Sequence, residues 1–212
     1  MAKLDIYWSF RSPYSYLAID RLCAIAQDYD VETRFRPVRP LALREPDFFE
    51  KGRKQFLPYL FKDVLREAQR LGLAFAPPSP DPIDMDMASG KVAPDQPLMT
   101  RIMALAIGAC EREKGMEFAR AAAYRIWSGA AWSDDEALRS ICAEAGLELD
   151  DLESWAKENR AAIAQRIGQN EAAQLEHHWG VPLMVLDGEP FFGQDRIDSL
   201  RWRFDQRQLK HS

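Results

Sequence analysis

The first stretch with residues that could do chemistry is Phe10-Arg11-Ser12-Pro13-Tyr14-Ser15-Tyr16-Leu17. Ser12 stands between the end of an apolar run and the start of a helical pattern. In an open α/β sheet, that edge is where ligands collect. The free N–H groups and dipole of a helix N-terminus stabilise negative charge there. A serine at that point could donate a hydrogen bond to a bound anion or thiolate, with Arg11 adding positive charge nearby. The competing reading is that Ser12 only caps the helix, a common duty of Ser before Pro, and on this stretch alone it is the better one. The second stretch is Trp179-Gly180-Val181-Pro182. A cis bond before Pro182 would leave the backbone groups of Val181 facing outward, open to pairing with an extended peptide. A trans bond is far commoner a priori and would leave Pro182 simply starting an edge strand.

Other candidates are weaker. Arg34, Arg36, Arg39 and Arg44 form a basic run that could receive a substrate carboxylate. Such runs are more often a solvated strand face, the reading preferred for Arg34. Asp84-Met85-Asp86 lies in a proline-rich loop with no histidine nearby, and His177-His178 lacks the i, i+4 spacing of a helical metal site. No metal site is expected. Cys23, Cys110 and Cys142 include no Cys-x-x-Cys pair. Cys142 follows Leu138 and Ile141 on a helical apolar stripe and reads as core, not as a nucleophile.

These residues need elements to hold them. Leu4 to Phe10 reads as a strand, and Ser12-Pro13 opens a helix that continues to about Gln27. Val31 to Arg36 reads as a second strand ended by Pro37. The two strands are most simply parallel, joined by a crossover. A helix is predicted from about Arg53 to Gly72, then a stiff proline-rich connection over Ala76–Pro82, then helices over Leu98–Lys114 and Glu117–Trp127. Ser133-Asp134-Asp135-Glu136 has the capping-box pattern, and Asp150-Asp151-Leu152-Glu153 is a related start signal with an acidic cap. Val181–Leu186, the Asp187-Gly188 turn and Glu189–Gly193 form a hairpin, and a last helix starts near Asp195. This order is that of an α/β, thioredoxin-like sheet with a large inserted all-helical domain. The expected division is 1–45 with 178–212 for the sheet and 46–177 for the helices, the latter burying a small core of their own.

Composition narrows the class. Hydrophobic residues make up 47% and charged residues 29% of the 212, enough apolar surface for a packed core. A net charge of −5 argues against a nucleic-acid partner. No apolar run approaches the ~18 residues of a membrane span. Met1-Ala2-Lys3-Leu4-Asp5 lacks a signal-peptide pattern, and the expectation is a cytoplasmic protein with no membrane partner.

Taken together, the blocks resemble a family. Phe10-Arg11-Ser12-Pro13-Tyr14-Ser15-Tyr16-Leu17-Ala18 is similar to the signature of 2-hydroxychromene-2-carboxylate isomerases and kappa-class glutathione transferases. Gly180-Val181-Pro182 and Phe192-Gly193-Gln194-Asp195-Arg196 match the second and third blocks, and Tyr59, Asp63, Arg66, Ala68 and Gly72 resemble the middle. The resemblance implies a DsbA-like fold, glutathione as cofactor, a small aromatic substrate and a homodimer. It implies that Ser12 hydrogen-bonds the glutathione sulfur and that Val181, before Pro182, pairs through its backbone with the cysteinyl unit. Gln194 and Asp195 would hold the γ-glutamyl end. The implied activity is isomerisation by reversible thiolate addition, with a kappa-like transferase or a non-catalytic thioredoxin-like binder as alternatives. Some positions depart from the pattern: Trp8-Ser9-Phe10 replaces Phe-Asp-Phe, Arg11 replaces a small or neutral residue, Asp47-Phe48 stands near the usual Gly-Asn, and Phe56 replaces a Lys. Ser12 and Ser15 occupy the places of a Cys-x-x-Cys pair, which excludes dithiol exchange through that motif.

Overall fold

The computed structural model describes residues 1–46, 48–86 and 89–210, with the backbone alone over 48–54. Asp47 therefore lies outside the described residues. Strand β1 (Ala2–Trp8) is central. It pairs in parallel with β2 (Val31–Pro37), Ala2 opposite Val31 and Trp8 opposite Pro37. On its other side runs β3 (Leu183–Leu186), antiparallel, and then β4 (Glu189–Phe192), in the order β2-β1-β3-β4. Residues Leu4 and Ile6 of β1 enter one apolar cluster while Tyr7 enters another. A strand covered on both faces explains why its sequence alternates only in part. The predicted hairpin turn is present: Asp187 and Gly188 take φ of 48° and 90°, the signs a type I′ turn requires.

Helix α1 (Pro13–Asp28) follows β1 directly, and the short α2 (Leu41–Arg44) follows β2. The helical block comprises α3 (Phe48–Leu71), α4 (Pro97–Cys110), α5 (Gly115–Ser128), α6 (Asp135–Glu144), α7 (Leu149–Glu158) and α8 (Arg160–Leu175). A 3-10 turn (Gln194–Arg196) leads from β4 into α9 (Ile197–Gln206). Helix α3 begins five residues before the predicted Arg53 and runs through Pro58. Pro58 is exposed, so the carbonyl it leaves unserved can meet water.

Two predicted caps are corrected. At α6 the cap is Asp134, not Ser133: its carboxylate accepts from the Ala137 N–H at 2.9 Å. A carboxylate one residue further on serves the orphan donors and brings charge to the positive helix end. Helix α7 starts at Leu149, which places Asp150 inside the first turn, where it pairs with Arg139 at 2.7 Å instead of capping.

Among the described residues the helical block shares its core with the sheet, against the expectation of a core of its own. One apolar cluster runs from Trp8, Phe10 and Tyr16 at the sheet into Ile102, Phe118, Trp132 and Leu152. Tyr16, Leu17 and Ile19 of α1 join this cluster with Phe118 and Ala122 of α5, while Ala18, Leu22 and Ile25 pack with Leu4 and Ile6 of β1. Phe10 and Phe118 meet edge to face with centroids 6.3 Å apart. The Trp127 indole N–H donates to the Phe10 carbonyl at 3.0 Å. Asp20 of α1 accepts from Arg120 at 2.6 Å and from the Tyr124 hydroxyl. Cys142 is buried, as its stripe implied, and burial pushes its thiol up to about 11.

Phe118 is thus the side chain where sheet and helical block share their interior. Phe118→Ala is expected to lower stability by about 3–5 kcal/mol. Urea unfolding should show a lower midpoint with an unchanged slope. A midpoint equal to that of the parent protein would disprove the shared core.

Candidate functional site

The site is built where β1 gives way to α1. Ser12 holds an extended backbone conformation, and its Oγ accepts from the Ser15 N–H at 3.2 Å. Its carbonyl accepts from the Tyr16 N–H at 3.1 Å, which starts the helix. The capping reading is therefore right, and it does not compete with the functional one. The bond to Ser15 uses a lone pair of the oxygen and leaves the O–H free to donate. The first turn of α1 carries no acidic side chain, so its positive end is not neutralised from within.

Ser15 has a different fate. It is fully buried, its hydroxyl accepts from the Ser9 N–H at 3.5 Å, and its carbonyl accepts from the Trp8 indole at 3.0 Å. Of the two serines, Ser12 alone lines the adjoining cavity of about 440 Å³. That volume falls in the range of small-molecule pockets. Its walls are mostly apolar, with Leu60, Pro77, Pro78, Trp127 and Phe192 among them. Arg11 also lines it, held by Asp81 in a two-pronged pair at 2.7 and 2.8 Å.

The opposite wall is the segment 179–181, which three side chains fasten. Buried Gln174 donates to the carbonyls of Trp179 at 3.0 Å and Gly180 at 2.8 Å. Arg44 donates to the same Trp179 carbonyl at 3.0 Å. The Gly180 N–H donates to Nδ1 of His178 at 2.9 Å. That acceptor requires a neutral imidazole, and burial lowers the His178 pKa in the matching direction. The His178 ring stacks on Phe192 with centroids 3.7 Å apart. A Cβ on residue 180 would sit 2.4 Å from the Phe192 ring, so only glycine fits.

The Val181–Pro182 bond is cis. Val181 lines the same cavity as Ser12, and its backbone N–H and C=O have no partner among the described residues. Pro182 is buried, its carbonyl accepting from the Gly193 N–H at 2.9 Å.

Gln194 and Asp195 stand apart from this cavity. Gln194 is buried. Its amide donates to Glu67 at 3.1 Å and accepts from Arg21, whose guanidinium also reaches the Gln194 carbonyl at 3.1 Å. Asp195 is exposed, and one oxygen lies 2.5 Å from where a Cβ of residue 193 would be. Gly193 also holds φ at +103°, so that corner admits no other side chain. The middle block clusters on α3, where Asp63 accepts from Tyr14 at 2.7 Å and from Tyr59 at 3.4 Å and pairs with Arg66.

Sequence reasoning weighed Arg44 and His178 for other roles and gave Gln174 and Trp127 none. Gln174 and Trp127 read as ordinary helical positions, and nothing local marks a side chain whose bond is with a loop several residues away or on another element. Ser9 departs from the family pattern, and its Oγ is buried at the cavity wall with no hydrogen-bond partner among the described residues. The two outer cysteines lie away from the cavity, with burial pushing Cys23 up to about 11 and Cys110 up to about 12.

Known proteins resemble this chain over nearly its whole length. A protein of Sphingobium xenophagum named 2-hydroxychromene-2-carboxylate isomerase is 25% identical over 199 residues, 93% of this chain and 95% of that protein. A Pseudomonas putida protein of the same name is 28% identical over 206 residues, 92% of this chain and 90% of that protein. A solved 2-hydroxychromene-2-carboxylate isomerase shares the fold, with a TM-score of 0.70 at 24% identity over 96% of this chain and 95% of its own. Among the described residues no helix is long and apolar enough to cross a membrane. Residues 3–205 match the model of the DSBA-like thioredoxin domain, and the chain belongs to that family.

Proposed function

We propose that this chain is a glutathione-dependent cis-trans isomerase of an aromatic pyruvate-type substrate, like the relatives named 2-hydroxychromene-2-carboxylate isomerase. The observation that carries this reading is one apolar cavity bounded by a free Ser12 O–H and by the unpartnered backbone of Val181. A cysteinyl unit needs both: a peptide N–H and C=O to pair with, and a donor for its sulfur. The residues present fit the sulfur end of the tripeptide closely. At the γ-glutamyl end, exposed Asp195 suits a free ammonium. The Gln194 amide is already engaged by Arg21 and Glu67, and its part is to hold that turn in place.

When bound, glutathione would supply a thiolate able to add reversibly to a conjugated double bond and so let that bond turn. The protein's share is electrostatic and geometric. Ser12 donates to the anion, and the unneutralised end of α1 stabilises the same charge. The apolar walls exclude water and strengthen both effects. The chain's own thiols lie outside the cavity and are pushed upward by burial, which suits a borrowed thiol better than a resident one.

Glutathione titrated by calorimetry should bind, whereas no heat at millimolar concentration would favour a non-catalytic binder. A chromene carboxylate should turn over faster than a chloronitrobenzene; the reverse order would favour a kappa-like transferase. Ser12→Ala should cut kcat/KM by about ten- to a hundredfold, the worth of a hydrogen bond to a charged group. It should also raise the pKa of the bound thiol, read from thiolate absorbance, which loss of the cap alone would not do. Full activity in that variant would refute the role of Ser12. Insulin reduction by dithiothreitol should not accelerate in the presence of the protein, because a serine forms no mixed disulfide.

The loop wall has its own pH signature. Folding lowers the His178 pKa, so its contribution is complete above the ordinary value of about 6.5 and is lost as pH falls toward the lower folded value. The stability difference between the parent protein and His178→Asn should shrink between pH 7.5 and pH 5 in thermal melts. A constant difference would show that the neutral imidazole is not what holds Gly180.

A further inference from the structure

Three of the four arginines between residues 34 and 44 are neutralised. Arg34 meets Glu32 at 2.7 Å, Arg36 meets Asp5 at 2.6 Å, and Arg39 grips both oxygens of Glu171 at 2.9 and 2.7 Å. Arg44 differs. Its Nε donates to the Arg39 carbonyl at 2.9 Å and its Nη2 to the Trp179 carbonyl at 3.0 Å. No acid lies within ion-pair distance of it among the described residues, and its Nη1 has no partner.

Two carbonyl dipoles aim a guanidinium but do not cancel a full charge. Burial lowers the Arg44 pKa, with Glu171 and Glu45 opposing from a distance. The group is therefore under-solvated, oriented, and short of an anion. It also lines the cavity that holds Ser12 and Val181. The other described cation there, Arg11, is closed off by Asp81. Around Arg44 the lining is apolar, with Leu41, Leu57 and Phe192 in the same cavity. A fixed cation with a free N–H edge beside apolar walls suits a ligand with a carboxylate on an aromatic body.

We propose that Arg44 selects the substrate, its free guanidinium edge donating to the carboxylate of an aromatic acid whose ring lies along the apolar lining. This rests on the reading that the cavity accepts an aromatic pyruvate-type compound. A carboxylate is also present on the glycine end of glutathione, so the test separates the two sources.

The cavity tryptophans Trp127 and Trp179 provide the signal. Benzylidene pyruvate and its methyl ester are titrated against intrinsic fluorescence, without glutathione, on the parent protein, Arg44→Met and Arg44→Lys. The parent should prefer the acid to the ester by about tenfold or more, as expected for a charge-assisted pair. Arg44→Met should abolish that preference while leaving ester binding within about twofold, which also shows the cavity intact, and Arg44→Lys should restore part of it. An unchanged acid-to-ester ratio in Arg44→Met overturns the proposal, as does a parent protein that binds neither compound. Glutathione and its glycyl ethyl ester are titrated by calorimetry, and their affinity ratio should be the same in the parent and in Arg44→Met, even where loosening the Trp179 carbonyl weakens both. If that ratio falls in Arg44→Met while the acid-to-ester ratio does not, Arg44 serves the tripeptide and the proposal falls. Acid selectivity that depends on Arg44, in a protein that binds no glutathione, would instead sink the cofactor reading and leave the Arg44 assignment standing.

Discussion

A hydroxyl oxygen can accept one hydrogen bond and donate another, and the head of α1 is arranged around that double capacity. Ser12 satisfies the Ser15 N–H, which lets the helix begin there, and still has a proton to offer the cavity. Each neighbouring feature protects the arrangement. Trp127 ties down the Phe10 carbonyl, Arg11 is locked to Asp81, and Ser15 is sealed inside by Trp8 and Ser9. A wandering Ser12 would lose the cap and the donor together. Rigidity of the helix start and availability of the proton are one constraint.

The second wall follows a complementary rule. In most of a folded interior, backbone groups are paired. Along 179–180 the carbonyls are taken by Gln174 and Arg44, and the Gly180 N–H by His178. Satisfaction stops at Val181. The same side chains that immobilise the loop leave one peptide unit open, and an open unit between well-held neighbours is already shaped for an extended ligand. The order lost on binding is correspondingly small.

The strands, the hairpin and the start of α1 were legible because their signals are local: Ser before Pro, alternation in β2, Asp-Gly at the turn. The Ser12 and Val181 positions were legible because family blocks sit on those same local features. What failed to show depends on distance. A capping box at Ser133 and a cap at Asp150 were wrong by a residue or two, since neighbouring carboxylates compete for one donor and Arg139 draws Asp150 away. The separate helical core was wrong because apolar spacing marks a buried face without saying what covers it. Gln174 gave no signal at all, since a helical glutamine looks the same whether it meets solvent or a loop.

Strand β4 has a consequence for the molecule in a crowded solution. The outermost strand of a sheet is where one molecule can zip onto another. Here that strand has four residues, and Pro190 is one of them. A proline has no amide proton, so the exposed rim is both short and one donor poorer, a bad template for a foreign strand. The element that carries Phe192 to the cavity thereby also guards the protein against edge-to-edge aggregation.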